Sequence, residues 1–173
     1  FMVGNTIILK HAPQCPKTAE AIVDILKEAG LPECVYNNVF ATNEQAATII
    51  EDSRVQGVSL TGSERAGQAV AKVAGGALKK VVLELGGSDA FIVAADADIE
   101  QAVKGAIEGR FGNAGQACNA AKRLIVVESV YDKFVEGFTN AVRNMTLADP
   151  LDEGTFIGPM SSKAAAVNLQ EQL

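Results

Sequence analysis

One stretch of the chain indicates the fold class: residues 57–74 read GVSLTGSERAGQAVAKVA. The apolar residues 57–60 predict a short buried strand, and Ser63 is a good N-cap for a helix that continues to about Ala74. A strand that passes directly into a helix is the first half of a βαβ unit, which is the building block of parallel sheets.

The same alternation continues on both sides of this stretch. Runs rich in apolar residues predict strands at 6–9, 57–60, 81–84, 90–93 and 124–127, and the mixed segment VYNNVF is a further strand candidate at 35–40. Helical periodicity predicts helices at 19–29 after an N-cap at Thr18, at 43–50 after a cap at Thr42 or Asn43, and at 63–74, 98–110 and 130–143. Gly30 is the expected stop of the first helix. The pattern predicts an α/β fold with a Rossmann-like, three-layer arrangement: a parallel sheet with helices on both faces.

Composition excludes several classes of function. The chain has 173 residues and a net charge of −6, and its basic residues are scattered, so neither nucleic acid nor an anionic membrane is an expected partner. No apolar run approaches the roughly 20 residues that span a bilayer. Three irregularly spaced cysteines and one histidine predict a reduced, cytoplasmic protein without disulfides or a metal site. The start lacks the pattern of a signal peptide, and both ends are expected to be cut from a longer chain.

Two candidate binding features follow predicted strands. The turn at 61–67 opens a helix, whose N-terminal N–H groups attract phosphate, and Gly62 allows close approach. An ordinary capped turn explains the same residues, and the spacing is not that of the usual dinucleotide fingerprint. Lys10 ends the first strand, where ligands of parallel sheets bind; a solvated loop lysine is the alternative.

Two further residues carry candidate chemistry. Glu84 follows Val81, Val82 and Leu83, so we expect it to be buried, where it would serve as a general base. A strand-end glutamate that bonds a loop is the alternative. Cys118 ends the polar, glycine-rich stretch FGNAGQAC (111–118), which predicts a flexible loop that exposes a nucleophilic thiol. The other two cysteines are expected to be small buried apolar residues: Cys15 and Cys34.

Taken together, these stretches closely resemble the aldehyde dehydrogenase superfamily. The matching segments, in order, are GNT (4–6) leading to LK (9–10), TGS (61–63) with Gly67, LELGG (83–87), and the Phe, Asn, Gly-Gln and Cys of residues 111–118. The finer match, LKHA (9–12) and LGGSD (85–89), is most similar to bacterial succinate-semialdehyde dehydrogenases that use NAD(P).

The resemblance implies a role for each matched residue. Cys118 would attack the aldehyde, with its own backbone N–H as half of an oxyanion hole, and Glu84 would activate the water that hydrolyses the resulting thioester. Residues 1–86 would be part of the NAD(P)-binding domain and 87–173 part of the catalytic domain. The implied cofactor-binding residues are Lys10, Ala12, Pro13, Gly62, Ser63, Gly67, Leu85 and Gly86.

Two departures from the family pattern bear on specificity. Pro13 occupies a position where many NAD-preferring members carry a glutamate that binds the adenosine ribose. A carboxylate there would repel a 2′-phosphate, so its absence predicts that either NAD or NADP is accepted. Gly112 stands where several succinate-semialdehyde enzymes carry an arginine that pairs with the substrate carboxylate. The predicted substrate is therefore succinate semialdehyde or a similar small aldehyde.

Two alternatives remain at this stage. A CoA-acylating relative would transfer the acyl group to CoA instead of water, although such relatives usually lack the base at position 84. A non-catalytic nucleotide-binding module would keep the fold without the reaction. The family's second oxyanion-hole donor, an asparagine, is expected upstream of residue 1, so the 173-residue chain alone is expected to be inactive. The resemblance also implies that the full-length protein is a homo-oligomer.

Overall fold

The computed structural model describes residues 1–172, which form two compact units. The first unit is Phe1–Glu84, and the second begins at Leu85. The division falls two residues before the domain boundary predicted after Gly86. The assignment of one unit to the cofactor and the other to the thiol chemistry remains a prediction.

The first unit is a run of β–α repeats. Its elements are β1 (Ile7–Lys10), α1 (Pro16–Glu28), β2 (Tyr36–Val39), α2 (Asn43–Glu51), β3 (Gly57–Thr61), α3 (Glu64–Gly76) and β4 (Lys80–Glu84). The strands β1 and β2 pair in parallel, and so do β3 and β4. In the second pair Thr61 lies opposite Glu84, so the two carboxyl ends meet at one edge of this pair.

The first helix begins three residues earlier than predicted. It starts at Pro16 instead of Ala19, so Thr18 is inside the helix and is not its N-cap. Proline is well suited to the first helical turn because its fixed φ is helical and its missing N–H has no partner there. Cys15 occupies the N-cap position without a side-chain cap bond.

The predicted stop of this helix is confirmed. Gly30 has a φ of +83°, the left-handed conformation that ends many helices. Its N–H donates to the Lys27 carbonyl at 3.0 Å, and the N–H of Leu31 donates to the Leu26 carbonyl at 3.0 Å. This pair of bonds is the Schellman motif, which satisfies carbonyl groups that the helix end leaves without partners.

Capping residues fix the starts of the next two helices. Thr42, one of the two predicted caps, forms a capping box with Gln45: each side chain bonds the other residue's backbone N–H. Ser63 caps α3 by accepting a hydrogen bond from the Ala66 N–H at 3.3 Å. Both caps therefore confirm the predicted helix starts.

The second unit has one parallel strand pair and three α-helices within the described residues. Its elements are β5 (Asp89–Val93), α4 (Ile99–Phe111), a 3-10 turn (Gly112–Gly115), β6 (Ala121–Val126), a 3-10 turn (Glu128–Val130), α5 (Tyr131–Arg143) and α6 (Lys163–Gln170). A shift of register between Asp89 and Ala90 interrupts the β5–β6 pairing. The strand β6 begins three residues before the predicted Leu124, because Ala121–Arg123 pairs with β5 although it is not apolar throughout.

The core of the second unit lies between its strand pair and two helices. Val93 of β5, Ala106 of α4 and Phe134 of α5 are almost fully buried. Partly buried apolar residues surround them, among them Phe91, Val103, Leu124, Val126 and Phe138. This cluster packs the N-terminal and middle parts of α4 against α5.

These elements confirm the predicted α/β class with parallel strands. Among the described residues no helix is both long enough and apolar enough to cross a membrane. No cluster of three His, Cys, Asp or Glu side chains placed to hold a metal ion occurs in the same part of the chain.

Candidate active site

The predicted phosphate-binding turn joins β3 to α3. The Gly62 N–H donates to the Glu84 carbonyl at 2.9 Å, which ties the turn to the end of β4. Ser63 is the N-cap, and its exposed hydroxyl accepts from Ala66 while its proton is free to donate elsewhere. The first N–H groups of any helix lack intrahelical partners, so α3 directs amide donors out of the turn.

The two glycines of this turn have different surroundings. A Cβ placed on Gly62 would come no closer than 3.7 Å to a neighbouring atom, so the protein's own packing leaves room for a side chain. Gly67 is buried on α3, which packs on α2, β3 and β4. The geometry is thus compatible with close ligand approach at Gly62 and with helix packing at Gly67.

Lys10 is the last residue of β1 and is half-buried. Its ammonium donates to the carbonyl of His11 at 3.3 Å, and the His11 ring stands edge-on to Phe40 at a centroid distance of 4.7 Å. Ala12 and Pro13 are exposed in the turn that follows, where the Ala12 carbonyl accepts from the Cys15 N–H. These residues lie at the carboxyl end of a parallel strand, the edge where such sheets bind ligands.

Glu84 lies at the end of β4 and is exposed, which contradicts the expectation that it is buried. The strand alternates: Lys80, Val82 and Glu84 share its exposed face, while Val81 and Leu83 are half-buried. Of the three apolar residues before Glu84, only Val82 is on the same exposed face of the strand. Glu84 is the last residue of the first unit, and Cys118 belongs to the second unit. Leu85 is half-buried and Gly86 is exposed at the start of the second unit.

The segment before Cys118 contains a tight turn, Gly112–Gly115, in the region where the sequence predicts a flexible loop. Asn113 and Ala114 both have left-handed backbone conformations, with φ of 51° and 56°. The side chains of Asn113 and Gln116 each donate to the other residue's backbone carbonyl, at 3.3 and 3.4 Å. Left-handed residues other than glycine are uncommon outside sites that need a special geometry. Neither the conformation nor the reciprocal bonds could be read from the composition of the segment.

Arg110 packs beneath this turn. A Cβ on Gly115, whose φ is +74°, would lie 2.9 Å from the Arg110 carbonyl oxygen and 3.0 Å from its guanidinium. The Arg110 Nη1 is buried and has no hydrogen-bond partner. Gly115 is therefore required by both its backbone conformation and the arginine below it.

A row of aromatic rings links the turn to the core. Phe111 stacks on Phe138 at a centroid distance of 6.2 Å, and Phe138 stacks on Phe134 at 5.7 Å. Phe134 is 1% exposed. Aromatic pairs of this kind contribute about 0.5–1.5 kcal/mol beyond the area they bury, so the stack fixes the position at which the turn begins.

The thiol of Cys118 is exposed, as predicted for a nucleophile. Its carbonyl oxygen is enclosed by two residues that the sequence did not single out for this role. The Lys122 ammonium lies 3.1 Å from that oxygen, and a Cβ on Gly87 would lie 2.8 Å from it. A lysine four residues after a cysteine carries no recognisable signal in a sequence, so only the structure brings these groups together.

The expectation that the other two cysteines are buried is wrong, because both are exposed. Cys15 is at the N-cap of α1, and Cys34 is in a turn with a φ of 65°. Exposure alone therefore does not distinguish Cys118. The two consecutive left-handed residues before Cys118 and the enclosed position of its carbonyl oxygen distinguish it from the other two cysteines.

The sequence matches the model of the aldehyde dehydrogenase family over residues 1–173. This chain belongs to the aldehyde dehydrogenase family. The resemblance carried by the 61–67, 83–87 and 111–118 segments is thereby confirmed, and the parallel α/β units are the corresponding part of the aldehyde dehydrogenase fold.

Several named relatives are similar over nearly the whole chain. A succinate-semialdehyde dehydrogenase [NADP(+)] of Deinococcus radiodurans is 49% identical over all 173 residues, which are 36% of its length. A succinate semialdehyde dehydrogenase [NAD(P)+] of Escherichia coli K12 is 48% identical over 93% of this chain and 35% of its own. The crystal structure of the Streptococcus pyogenes succinic semialdehyde dehydrogenase with NADP+ superposes with a TM-score of 0.95 and is 43% identical; the match covers 99% of this chain and 38% of that one. The chain thus spans little more than a third of these aldehyde dehydrogenases.

Proposed function

We propose that the full-length protein is an NAD(P)-dependent aldehyde dehydrogenase in which this chain supplies the nucleophile, Cys118, and the hydrolytic base, Glu84. The observation that carries the proposal is the exposed Cys118 thiol at the end of a turn with a fixed, unusual backbone. Because the chain belongs to the aldehyde dehydrogenase family, the reaction proposed for this thiol is the oxidation of an aldehyde. Of the other two exposed cysteines, Cys15 is the N-cap of α1, and Cys34 is left-handed itself but has no left-handed neighbour.

The first step is addition of the thiolate to the aldehyde carbon. A carbon–sulfur bond forms, and the carbonyl electron pair moves to the oxygen, which becomes the oxyanion of a thiohemiacetal. The backbone N–H of Cys118 would donate to that oxygen as one half of an oxyanion hole. Removal of one such donor in other enzymes costs about 3–4 kcal/mol of transition-state stabilisation.

The cofactor is proposed to bind the first unit at the carboxyl ends of β1 and β3. The open space at Gly62, the amides at the start of α3 and the free proton of Ser63 suit a phosphate, and the Lys10 ammonium suits a ribose hydroxyl. A bound nicotinamide would supply the acceptor for the hydride that the thiohemiacetal carbon must lose, and Cys118 would then carry a thioester.

The second step is hydrolysis of this thioester. Glu84 accepts a proton from water as the water oxygen bonds to the acyl carbon. The carbon–sulfur bond then breaks, its electron pair returns to the Cys118 sulfur, and the carboxylic acid leaves. An exposed Glu84 is accessible to the water that this step requires.

Succinate semialdehyde, or a small aldehyde like it, is the proposed substrate. The support is the identity of 48–49% to relatives of that name. Gly112 has no side chain to pair with the substrate carboxylate, so that pairing must involve a different residue. Pro13 places no carboxylate beside a cofactor 2′-phosphate, which favours use of both NAD and NADP.

The test is a steady-state assay of the purified full-length protein. Succinate semialdehyde and uncharged aldehydes of similar length are compared with NAD and with NADP, and reduced cofactor is followed by absorbance. Wild-type protein should oxidise the aldehyde, whereas Cys118→Ser should lose at least about a thousandfold in kcat, because a hydroxyl is a far weaker nucleophile than a thiolate. Cys15→Ser is the matched control and should keep wild-type activity.

Glu84→Gln separates the two steps. Without the base, a burst of reduced cofactor should precede slow turnover, and mass spectrometry should find an acyl group on Cys118. Activity in Cys118→Ser, or no cofactor reduction with any aldehyde, would contradict the proposed function. A CoA thioester product in the presence of CoA would assign the CoA-acylating reaction instead.

A further inference from the structure

We propose that Lys122 is a positioning residue for Cys118, which rests on the proposed function of that thiol. The Lys122 ammonium donates to three backbone carbonyls, those of Ala117 and Cys118 at 3.1 Å and that of Ala120 at 3.4 Å. An ammonium has three protons, so every donor has an acceptor. All three acceptors lie within two residues of the nucleophile.

The bond to Ala117 controls the direction of the oxyanion-hole donor. The carbonyl of Ala117 and the N–H of Cys118 belong to the same peptide group, which is planar and trans. The two bonds therefore point in opposite directions. By holding the carbonyl, Lys122 turns the N–H away from itself and fixes the direction in which it can donate. A cation on the carbonyl also polarises the peptide group and strengthens its N–H as a donor.

The bond to Cys118 fixes the next peptide group, and Gly87 restricts it from another direction. A Cβ at Gly87 would lie 2.8 Å from the Cys118 oxygen, closer than real Cβ atoms approach an oxygen. The second glycine of the LELGG segment thus makes room for this carbonyl. Lys122 and Gly87 together allow the Cys118 backbone very little rotation.

The Lys122 side chain is suited to testing because its loss should do little to the fold. The residue is exposed and lies on β6, and its hydrogen bonds are local. Methionine keeps an unbranched stem of similar length and removes the donors. Arginine keeps the charge, although its planar fork cannot reach three carbonyls in the same way. Lys133, exposed on α5, provides a lysine outside the turn for comparison.

The first experiment uses steady-state kinetics of the full-length enzyme. Lys122→Met should lower kcat about tenfold to a hundredfold, because a misaligned donor and nucleophile lose near-attack geometry. The KM for the cofactor and the melting temperature should stay near wild-type values. Lys122→Arg should recover part of kcat, and Lys133→Met should match the wild type. Equal kcat in Lys122→Met and wild type, or an equal loss in Lys133→Met, would overturn the proposal.

The second experiment requires no turnover. Iodoacetate and iodoacetamide alkylate the same thiol, but only iodoacetate is anionic, so the ratio of their rates measures the positive charge nearby. The sulfur of Cys118 is a few ångströms from its own carbonyl oxygen and therefore lies within a Debye length, about 8 Å at physiological salt, of the Lys122 ammonium. Lys122→Met should lower this ratio at Cys118 about two- to threefold and leave the ratio at Cys15 unchanged. Lys122→Arg should keep it.

Together the two experiments test the proposed dehydrogenase function and the positioning role of Lys122 separately. If the wild type oxidises no aldehyde but the ratio at Cys118 still falls in Lys122→Met, the proposed function fails, and the contact of the Lys122 ammonium with the Cys118 segment stands. If the wild type is active and Lys122→Met equals it in kcat and in alkylation ratio, the positioning role is refuted while the dehydrogenase function remains.

Discussion

The turn into α3 and the turn before Cys118 both follow regular elements, yet they are built differently. At 61–63 the backbone is ordinary, one serine caps a helix, and a glycine has open space around it. At 112–118 two non-glycine residues are left-handed, a glycine is enclosed, and side chains from outside the turn hold it. The regular geometry of a helix end is sufficient for the phosphate binding proposed for the first turn. The role proposed for Cys118 requires one sulfur and one N–H to be oriented, which needs several local restraints.

Among the substitutions in these two turns, Gly115→Ala should have the largest effect on stability. The new Cβ would meet the Arg110 carbonyl at 2.9 Å, and φ is +74°, so the turn must change shape. We expect a loss of about 2–3 kcal/mol in the free energy of unfolding and at least a tenfold fall in kcat. Chemical denaturation and steady-state kinetics of the full-length protein measure the two losses.

Gly62→Ala is the matched control in the other turn. Its Cβ would meet only ordinary contacts at 3.7 Å or more, so stability should change by less than about 0.5 kcal/mol. The KM for the cofactor should rise, because the methyl group occupies space that a phosphate would approach. If Gly62→Ala destabilised the protein as much as Gly115→Ala, the contrast between the turns would be wrong.

A smaller effect is expected for Ser63→Ala. Loss of the hydrogen bond to the Ala66 N–H should cost about 1 kcal/mol in the free energy of unfolding, the usual contribution of an N-cap. The KM for the cofactor should rise as well, while kcat at saturating cofactor stays close to the wild-type value. Ser63→Asp, which keeps a cap acceptor but adds a charge, should restore stability and not cofactor binding. Recovery of both would show that Ser63 acts only through the cap.

Ala114→Gly should stabilise the protein slightly. Glycine removes the cost of a φ of 56° but adds freedom to the unfolded chain, so a net gain of about 0.5 kcal/mol in stability is expected. Leu78→Gly tests the same mechanism elsewhere, because Leu78 has a φ of 55° after α3 and is 95% exposed. Thermal denaturation measures the stability of both variants, Ala114→Gly and Leu78→Gly. A loss of stability in both variants would show that the left-handed residues carry no strain.

Sequence patterns predicted the regular elements well because each has a local signal. The alternation of apolar strands and capped helices located β3 and α3 within two residues of their ends, and Gly30 was a reliable stop. The errors were also local. The pattern predicts that the first helix begins at Ala19, whereas it begins at Pro16, a residue that suits the first turn of a helix.

The site was predicted less completely, for physical reasons. Chemical character identified Cys118 and Glu84 as candidates, but the exposure of Glu84 depends on which face of β4 is covered. The hydrogen bond from Lys122 to the Cys118 carbonyl depends on the conformation of the preceding turn. The left-handed residues of that turn, Asn113 and Ala114, cannot be recognised from its composition. Hydrogen bonds between a side chain and nearby carbonyls follow from conformation and not from residue type alone.

The aromatic stack of Phe111, Phe138 and Phe134 has a consequence for protein engineering. Its middle ring belongs to α5, yet it is in contact with the residue at which the thiol turn begins. Substitutions at Phe138 should therefore shift the turn slightly while leaving every residue of the 112–118 segment intact. A library randomised at Phe138 is therefore a way to alter the position of the turn without replacing Cys118 or Lys122.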